Sequence, residues 1–401
     1  MPFRPGLIST TLLCLLLSAC GGDGSSGQGN GNGSFPTAYT YAPPADIGDG
    51  WTVGDATSHG MSVRQLEDMM DAIGRGEFPI IDSIAIASQG TLVFNETVRT
   101  QLDFTDGWVA NGDVSMHVQM SASKSIASIL VGIAIDLGDI DGVDVPYLSL
   151  FDYPSYENWD DRKNQITLEH VLTMRLGLQW DEWNPSYSDP NNALIDFQSH
   201  NHDYSKGLLD LPMDADPGAK YAYNTIATVS LGQAVQNRGP LTYADFLNTY
   251  LLDPLRITQV RWVETPTGLP DLGGGLFLRT RDMVKIGQMY MDDGRWNGQQ
   301  IVSSEWVAAS TQSYTDLGWS EPETRDWQVD GYGYQWWIGH FDHGGQVLDT
   351  FAALGYGQQH VMVIPDLELV IAVNSHGYEE LPNQRNQVYA LIDQFLLPTS
   401  Q

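Results

Sequence analysis

The longest helical pattern in the chain follows Ser121. Apolar side chains recur there every three or four residues, at Ile126, Ile129, Leu130, Ile133 and Leu137, which is the spacing of one helix face. Gly138 then supplies a residue suited to a left-handed C-cap. The pattern predicts a largely buried helix. Ser121 is expected at or near its first turn, with Lys124 three residues on and over the same face.

Weaker periodic patterns predict six other helices. Ser62 and Gln65 form a possible capping box for a helix that ends near Gly74 or Gly76. Three further helices are predicted over Thr167–Met174, 225–236 and 280–291, and a fourth begins at Ser303 or Ser304. The last predicted helix contains Val388, Leu391, Ile392, Phe395 and Leu396. This helix has one apolar face, which is expected to cover a sheet.

Alternating or continuous apolar runs predict strands near both ends of the chain. They are 83–88, 91–96, 332–340, 347–353, 360–364 and 369–374. Short links between them favour antiparallel pairing. The chain is therefore expected to be α/β (α+β), with an antiparallel sheet flanked by helices and built from both chain ends. Residues 46–120 and 268–401 would form this domain, and 121–267 an inserted all-α domain.

The stretch 179–216 has no hydrophobic period and is rich in Trp, Tyr, Asn, Asp and Pro. It is interpreted as a long surface loop that walls a cleft. His200, His202 and Asp203 in this stretch suggest a metal site. No further ligand stands at a recognisable spacing, which favours solvated loop histidines instead.

The charge composition of the chain limits the classes of partner that it can bind. Among 401 residues, 50 acids oppose 19 bases, for a formal net charge of −31. No basic patch can be assembled from so few cations, which argues against nucleic acid and anionic membrane surfaces as partners. The charge does not identify a substrate, because acidic surfaces also serve solubility. Oligomeric state is left open.

The N-terminus has the pattern of an export signal. Arg4 precedes an apolar run, Leu7 to Leu17, and Leu17-Ser18-Ala19-Cys20 resembles a bacterial lipobox. The resemblance implies a signal peptide over 1–20, lipid on Cys20, and a protein exported and anchored to a bacterial membrane, facing the periplasm or the cell surface. The Gly/Ser/Asn-rich composition that follows predicts a flexible linker over 21–45. A plain secretory signal is the alternative. Both cysteines lie in this segment, so no disulfide framework is expected.

The Ser121–Lys124 pair is the candidate for chemistry. Burial lowers a lysine pKa, so a neutral Lys124 amine could take the proton of a Ser121 nucleophile. The alternative is a capping serine beside a solvated lysine. Of the five lysines only Lys124 has a serine three residues before it, and an apolar flank is a poor place for an unpartnered cation.

Several motifs together resemble one protein family. Ser121-Ala122-Ser123-Lys124 looks like the Ser-x-x-Lys motif of the serine β-lactamase and penicillin-binding superfamily. The stretches Leu172–Leu178 with Trp180, Gly274–Met283 and Phe351–Pro365 are similar to its class C β-lactamase-like branch, especially 6-aminohexanoate-dimer hydrolases and family VIII carboxylesterases. The resemblance covers residues 60 to 398 and implies a β-lactamase/transpeptidase-like fold.

The resemblance also assigns roles. Tyr223, near a cation and so biased towards phenolate, would share a proton with Lys124, while Thr225 stands where some relatives carry Asn. The family's Lys-Thr-Gly is missing. The corresponding turn would offer an oxyanion N–H, and His343-Gly344-Gly345 is interpreted as a hairpin turn. Substrate-binding candidates are Trp180, Thr225, Ala353, Gly355, Tyr356 and Gly357.

The function expected from these motifs is a serine hydrolase that cleaves ester or amide bonds of small substrates through an acyl-enzyme, without metal or cofactor. Losing the Lys-Thr-Gly cation favours neutral substrates over penicillins. Two alternatives stay open: a β-lactamase or D,D-peptidase acting on cell-wall peptides, and a non-catalytic ligand-binding lipoprotein.

Overall fold

A seven-stranded antiparallel sheet joins the two ends of the chain. The computed structural model describes residues 38–99, 116–315, 317, 326–378 and 386–397. The strands of this sheet are β1 (Ile81–Ser88), β2 (Thr91–Thr97), β8 (Trp327–Tyr332), β9 (Trp337–His343), β10 (Gln346–Gly355), β11 (Gln359–Ile364) and β12 (Leu369–Ser375). Their order is β2-β1-β12-β11-β10-β9-β8. The expected fold class, an antiparallel sheet contributed by both chain ends and flanked by helices, is confirmed.

Smaller strands complete the β-structure. β3 (Met116–Val118), β4 (Arg261–Trp262) and β5 (Leu276–Arg279) form a second sheet in the order β3-β5-β4, and β6 (Arg295–Trp296) pairs with β7 (Gln299–Gln300). Since β4 falls within 121–267, the all-helical expectation for that segment is wrong at this point. This strand pairs with β5, which lies outside the segment. The domain boundaries themselves stay predictions.

Ten α-helices surround the sheets in the described part of the chain. They are α1 (Val63–Gly74), α2 (Ser123–Asp136), α3 (Leu168–Leu172), α4 (Ala193–His200), α5 (Tyr204–Asp210), α6 (Thr225–Arg238), α7 (Tyr243–Leu247), α8 (Thr280–Met291), α9 (Ser304–Ser310) and α10 (Gln387–Leu391), the last continued by a π-turn, Ile392–Leu396. Within the described residues no helix has the length and apolar character needed to cross a lipid bilayer.

The two faces of the large sheet bury different cores. Ile84 and Ile86 of β1 pack with α1 and α10 on one face, whereas Ala85 and Ala87 join the core of α2, α6 and α8 on the other. On that second face α8 approaches closely. A Cβ on Gly287 would lie 2.4 Å from Val370 Cγ1, so only glycine fits there. The predicted covering role of the last helix is confirmed.

Two predicted elements are wrong. The strand expected over 332–340 is divided between β8 and β9 by a turn at 333–336, where Gln335 has a φ of 63° and no ladder can continue. The stretch 179–216, expected to be a loop, contains α4 and α5. Asn192 and Asp203 cap these helices. Burial of Phe197 and Leu208 in the core stabilises the helices, although the sequence shows no helical periodicity there.

Candidate active site

Ser121 lies in a single 3₁₀ turn, Met120–Ala122, immediately before α2. Met120 has a φ of 46°, a left-handed conformation that non-glycine residues rarely adopt. Such backbone strain persists only where the surroundings hold it. Here Gly355 at the end of β10 packs against the turn, because a Cβ on Gly355 would lie 2.3 Å from the Gln119 carbonyl oxygen. Ser121 is partly exposed.

Lys124 is 1% exposed and reaches back over the same turn. Its Nζ donates to the Ser121 Oγ at 3.1 Å and to the Gly273 carbonyl oxygen at 2.5 Å. Burial lowers the pKa of Lys124 to about 8, although the carboxylates of Glu182 and Asp271 oppose this effect. The neutral amine that a base requires is therefore accessible near neutral pH.

Tyr223 immediately precedes Asn224, whose side chain caps α6. The Tyr223 hydroxyl lies close enough to the Ser121 side chain for Ser121 to lower its pKa, and the Lys124 Nζ lies 5.0 Å from the centroid of its ring. The ring stacks between two indoles, with centroid distances of 5.5 Å to Trp183 and 5.9 Å to Trp337. The three side chains singled out from distant parts of the sequence thus meet.

The ionisation expected for Tyr223 is wrong in direction. Burial and, secondly, the Glu182 carboxylate raise the pKa of Tyr223 well above its usual value, and the nearby Ser121 side chain only partly offsets them. The phenol is therefore protonated at neutral pH, because desolvation outweighs the bias of a nearby lysine. Lys124 is left as the group able to accept a proton from Ser121.

An open cleft lies beside Ser121. Its lining includes the predicted Thr225 and Tyr356, and two carboxylates that the sequence did not single out, Glu182 and Asp271. No Arg, Lys or His stands among its lining residues, which also include Met120, Tyr187, Leu194, Gln198, Gly273 and Gly274. The lining therefore holds two carboxylates and no cationic side chain, and Lys124 is the cation that faces both acids.

The other predicted binding residues occupy different places. Trp180 is buried and donates from Nε1 to Glu182 at 3.2 Å rather than lining the cleft. Ala353 lies inside β10, paired with Val361, and a Cβ on Gly357 would collide with the ring of Tyr378. Gly344 and Gly345 form the turn between β9 and β10, both with positive φ, so the hairpin interpretation of His343-Gly344-Gly345 is confirmed.

The loop histidines, interpreted as solvated rather than metal-binding, and the predicted lipidation site have different outcomes. His200 lies exposed at the end of α4, with Nδ1 on the Asp196 carbonyl, and the described residues contain no cluster of three or more His, Cys, Asp or Glu that could hold a metal. Cys20 lies outside the described residues.

The β-lactamase family profile matches residues 113–394, about 70% of the chain. The chain belongs to the β-lactamase family, which confirms the superfamily expected from the Ser-x-x-Lys motif. It is similar to the 6-aminohexanoate-dimer hydrolase of Paenarthrobacter ureafaciens, with 27% identity over 285 aligned residues that cover 64% of each chain. The alignment thus spans slightly less than two thirds of that hydrolase.

Solved structures share the fold. A putative 6-aminohexanoate-dimer hydrolase from Bacillus anthracis superposes with a TM-score of 0.59 at 17% identity, over 79% of this chain and 78% of that one. A family VIII carboxylesterase gives a TM-score of 0.57 at 12% identity, over 83% of this chain and 96% of its own. At these identities the likeness concerns the fold.

Proposed function

We propose that the protein is a serine hydrolase that cleaves ester or amide bonds of small substrates through an acyl-enzyme on Ser121. The observation that carries the proposal is the 3.1 Å contact between Ser121 Oγ and a buried Lys124 amine at the mouth of an open cleft. Kinship with a 6-aminohexanoate-dimer hydrolase and a carboxylesterase fold supports the same reaction class.

The first step forms the acyl-enzyme. Neutral Lys124 takes the Ser121 proton while Oγ attacks the substrate carbonyl carbon. The oxyanion is stabilised by backbone N–H groups, for which Ser121 and the turn after Gly355 are the candidates. As the bond to the leaving group breaks, Tyr223 gives that group its proton and recovers one from the Lys124 ammonium. Keeping Tyr223 protonated, as burial does, suits it to this donor role.

The second step releases the acid. Water attacks the acyl carbonyl, Lys124 accepts a water proton, and Ser121 leaves with a proton returned to its oxygen. Each residue ends as it began. No metal or cofactor enters this sequence of bond changes.

The cleft's charge favours neutral substrates. Glu182 and Asp271 line it, and no cationic side chain stands among the lining residues to pair with a substrate carboxylate. Lys124, the cation that faces both acids, is bound to Ser121. Among ester, amide and β-lactam substrates, the β-lactams carry such a carboxylate. A β-lactamase or D,D-peptidase activity is accordingly the lesser candidate.

A substrate panel tests the proposal. We expect p-nitrophenyl esters and an uncharged p-nitroanilide amide to be hydrolysed faster than nitrocefin, and Ser121→Ala to abolish all three activities. Preferred turnover of nitrocefin would reverse the ranking. Turnover unchanged in Ser121→Ala, or a complete lack of turnover with intact ligand binding, would instead favour a non-catalytic binding protein.

We further infer that the exported chain is anchored through lipid on Cys20, on the strength of the Leu17-Ser18-Ala19-Cys20 pattern. Expression in a bacterium fed labelled palmitate should label the wild type and leave Cys20→Ala unlabelled. Equal labelling of both proteins would exclude the anchor.

A further inference from the structure

Glu182 is a buried carboxylate that hydrogen-bonds residues of the cleft lining. It is 2% exposed and lies between Trp180 and the helix α4, in a stretch of sequence with no periodic pattern. Its two oxygens accept four hydrogen bonds: from Trp180 Nε1 at 3.2 Å, Tyr187 hydroxyl at 3.0 Å, Thr225 backbone N at 2.6 Å and Thr225 Oγ1 at 2.5 Å. Tyr187 and Thr225 also line the cleft.

The environment of Glu182 suits a charged carboxylate without an ion pair. Among the described residues no Lys, Arg or His lies within salt-bridge distance of it. Its partners are neutral donors and the first residue of α6, whose N-terminus favours negative charge. Four donors compensate for the lost hydration of a buried carboxylate. The arrangement therefore holds the carboxylate in one position inside the site.

We propose that Glu182 is a positioning residue that fixes the cleft wall to the start of α6 and places a negative charge beside Lys124. This inference rests on the proposed hydrolase function. Through Thr225 it holds the helix whose N-terminal flank presents Tyr223, and through Tyr187 it holds a second residue of the cleft lining. A loss of these bonds would loosen substrate binding and the geometry at Ser121 together.

The charge has a separate, measurable effect on Lys124. The ionisable groups that face Lys124 are Glu182, Asp271 and Tyr223. Tyr223 is neutral, whereas the two carboxylates raise the pKa of Lys124 against the effect of burial. The ionisable groups that face Glu182 itself are Lys124 and the tyrosines at 187, 221, 223 and 332. Neutralising Glu182 should therefore make the Lys124 ammonium lose its proton at lower pH.

The decisive experiment is the pH profile of kcat/KM with a p-nitrophenyl ester. In the wild type we expect kcat/KM to rise with pH, with its midpoint near the Lys124 pKa of about 8. In Glu182→Gln the midpoint should fall by about 1 pH unit. The plateau value of kcat/KM should also fall, because the hydrogen bonds from Tyr187 and Thr225 to residue 182 are weakened. Glu169→Gln is the matched control. Glu169 is another carboxylate of the helical region that accepts from Tyr334, and its variant should keep the wild-type profile.

A second variant separates the effect of the hydrogen bonds to Glu182 from the effect of its carboxylate charge on Lys124. Thr225→Val removes one hydrogen bond to Glu182 but keeps the carboxylate, so KM should rise several-fold while the midpoint stays in place. An unmoved midpoint in folded Glu182→Gln overturns the charge effect. If Glu182→Gln fails to fold, Thr225→Val and Tyr187→Phe decide, and wild-type KM and kcat/KM in both overturn the proposal.

The proposed function is tested separately by Ser121→Ala in the same assay. Loss of turnover in that variant establishes the hydrolase, so an unmoved profile in Glu182→Gln then counts against Glu182 alone. Turnover that survives in Ser121→Ala rejects the hydrolase assignment and, with it, this role of Glu182.

Discussion

The Nζ atom of Lys124 lies 3.1 Å from the Oγ atom of Ser121 and is held there from the other side by the Gly273 carbonyl oxygen. The carbonyl fixes the amine in place without supplying a negative charge. Burial can therefore lower the Lys124 pKa, which a direct carboxylate partner would raise. The contact gives the site a base that is neutral in a useful fraction of molecules near pH 8.

This arrangement should cost stability at neutral pH. The folded-state pKa of Lys124, about 8, lies below its ordinary value of 10.5. Between these values the unfolded chain binds more protons, so the penalty is present below pH 8 and is relieved as pH rises towards 10.5. We expect Lys124→Met to abolish hydrolysis and to raise the Tm at pH 7, with a smaller gain at pH 10. Thermal unfolding at both pH values measures this, and an equal change at both would contradict it.

Tyr223→Phe should separate proton transfer from packing. The ring would keep its place between Trp183 and Trp337, so the Tm should change little. Loss of the hydroxyl should lower kcat by about 10²-fold to 10³-fold. Tyr221→Phe is the matched control, because the Tyr221 hydroxyl is buried without a hydrogen-bond partner. Steady-state kinetics would contradict the donor role if both variants kept wild-type kcat.

Gly355 should tolerate no side chain. A Cβ there would lie 2.3 Å from the Gln119 carbonyl oxygen and 3.2 Å from the Ala122 nitrogen, the residues on either side of the Met120–Ser121 pair. We expect Gly355→Ala to lower the Tm and to reduce kcat/KM by more than about tenfold, since the shift reaches Ser121 directly. In Gly274→Ala the new Cβ would meet its nearest atom at 3.9 Å, so the Tm should be retained. Equal Tm values for the two variants would contradict this account.

Local sequence signals were sufficient for the elements that carry Ser121 and Lys124. The apolar spacing after Ser121 predicts α2, and the three-residue separation places both side chains over one turn whatever the rest of the chain does. The cap of α1 by Ser62 is equally local. The approach of Tyr223 to this pair is not local, and family resemblance, rather than periodicity, predicted it.

The features that the sequence did not predict all depend on contacts between residues far apart in the chain. The helices α4 and α5 form where their apolar residues are buried, although the stretch itself has no period. The protonated state of Tyr223 follows from burial and from Glu182, which no spacing rule reveals. Glu182 stands out in the sequence only as an acid between Trp180 and Trp183, and its link to Thr225 spans 43 residues.

The central claim is that Ser121 becomes acylated with the help of Lys124. Intact-mass and peptide mass spectrometry after reaction with a fluorophosphonate tests it most directly. We expect one adduct per chain, on the peptide that contains Ser121, at a rate that rises with pH around 8 in the wild type and is lost in Ser121→Ala and Lys124→Met. An adduct on another residue, or unchanged labelling of Ser121 in Lys124→Met, would contradict the account.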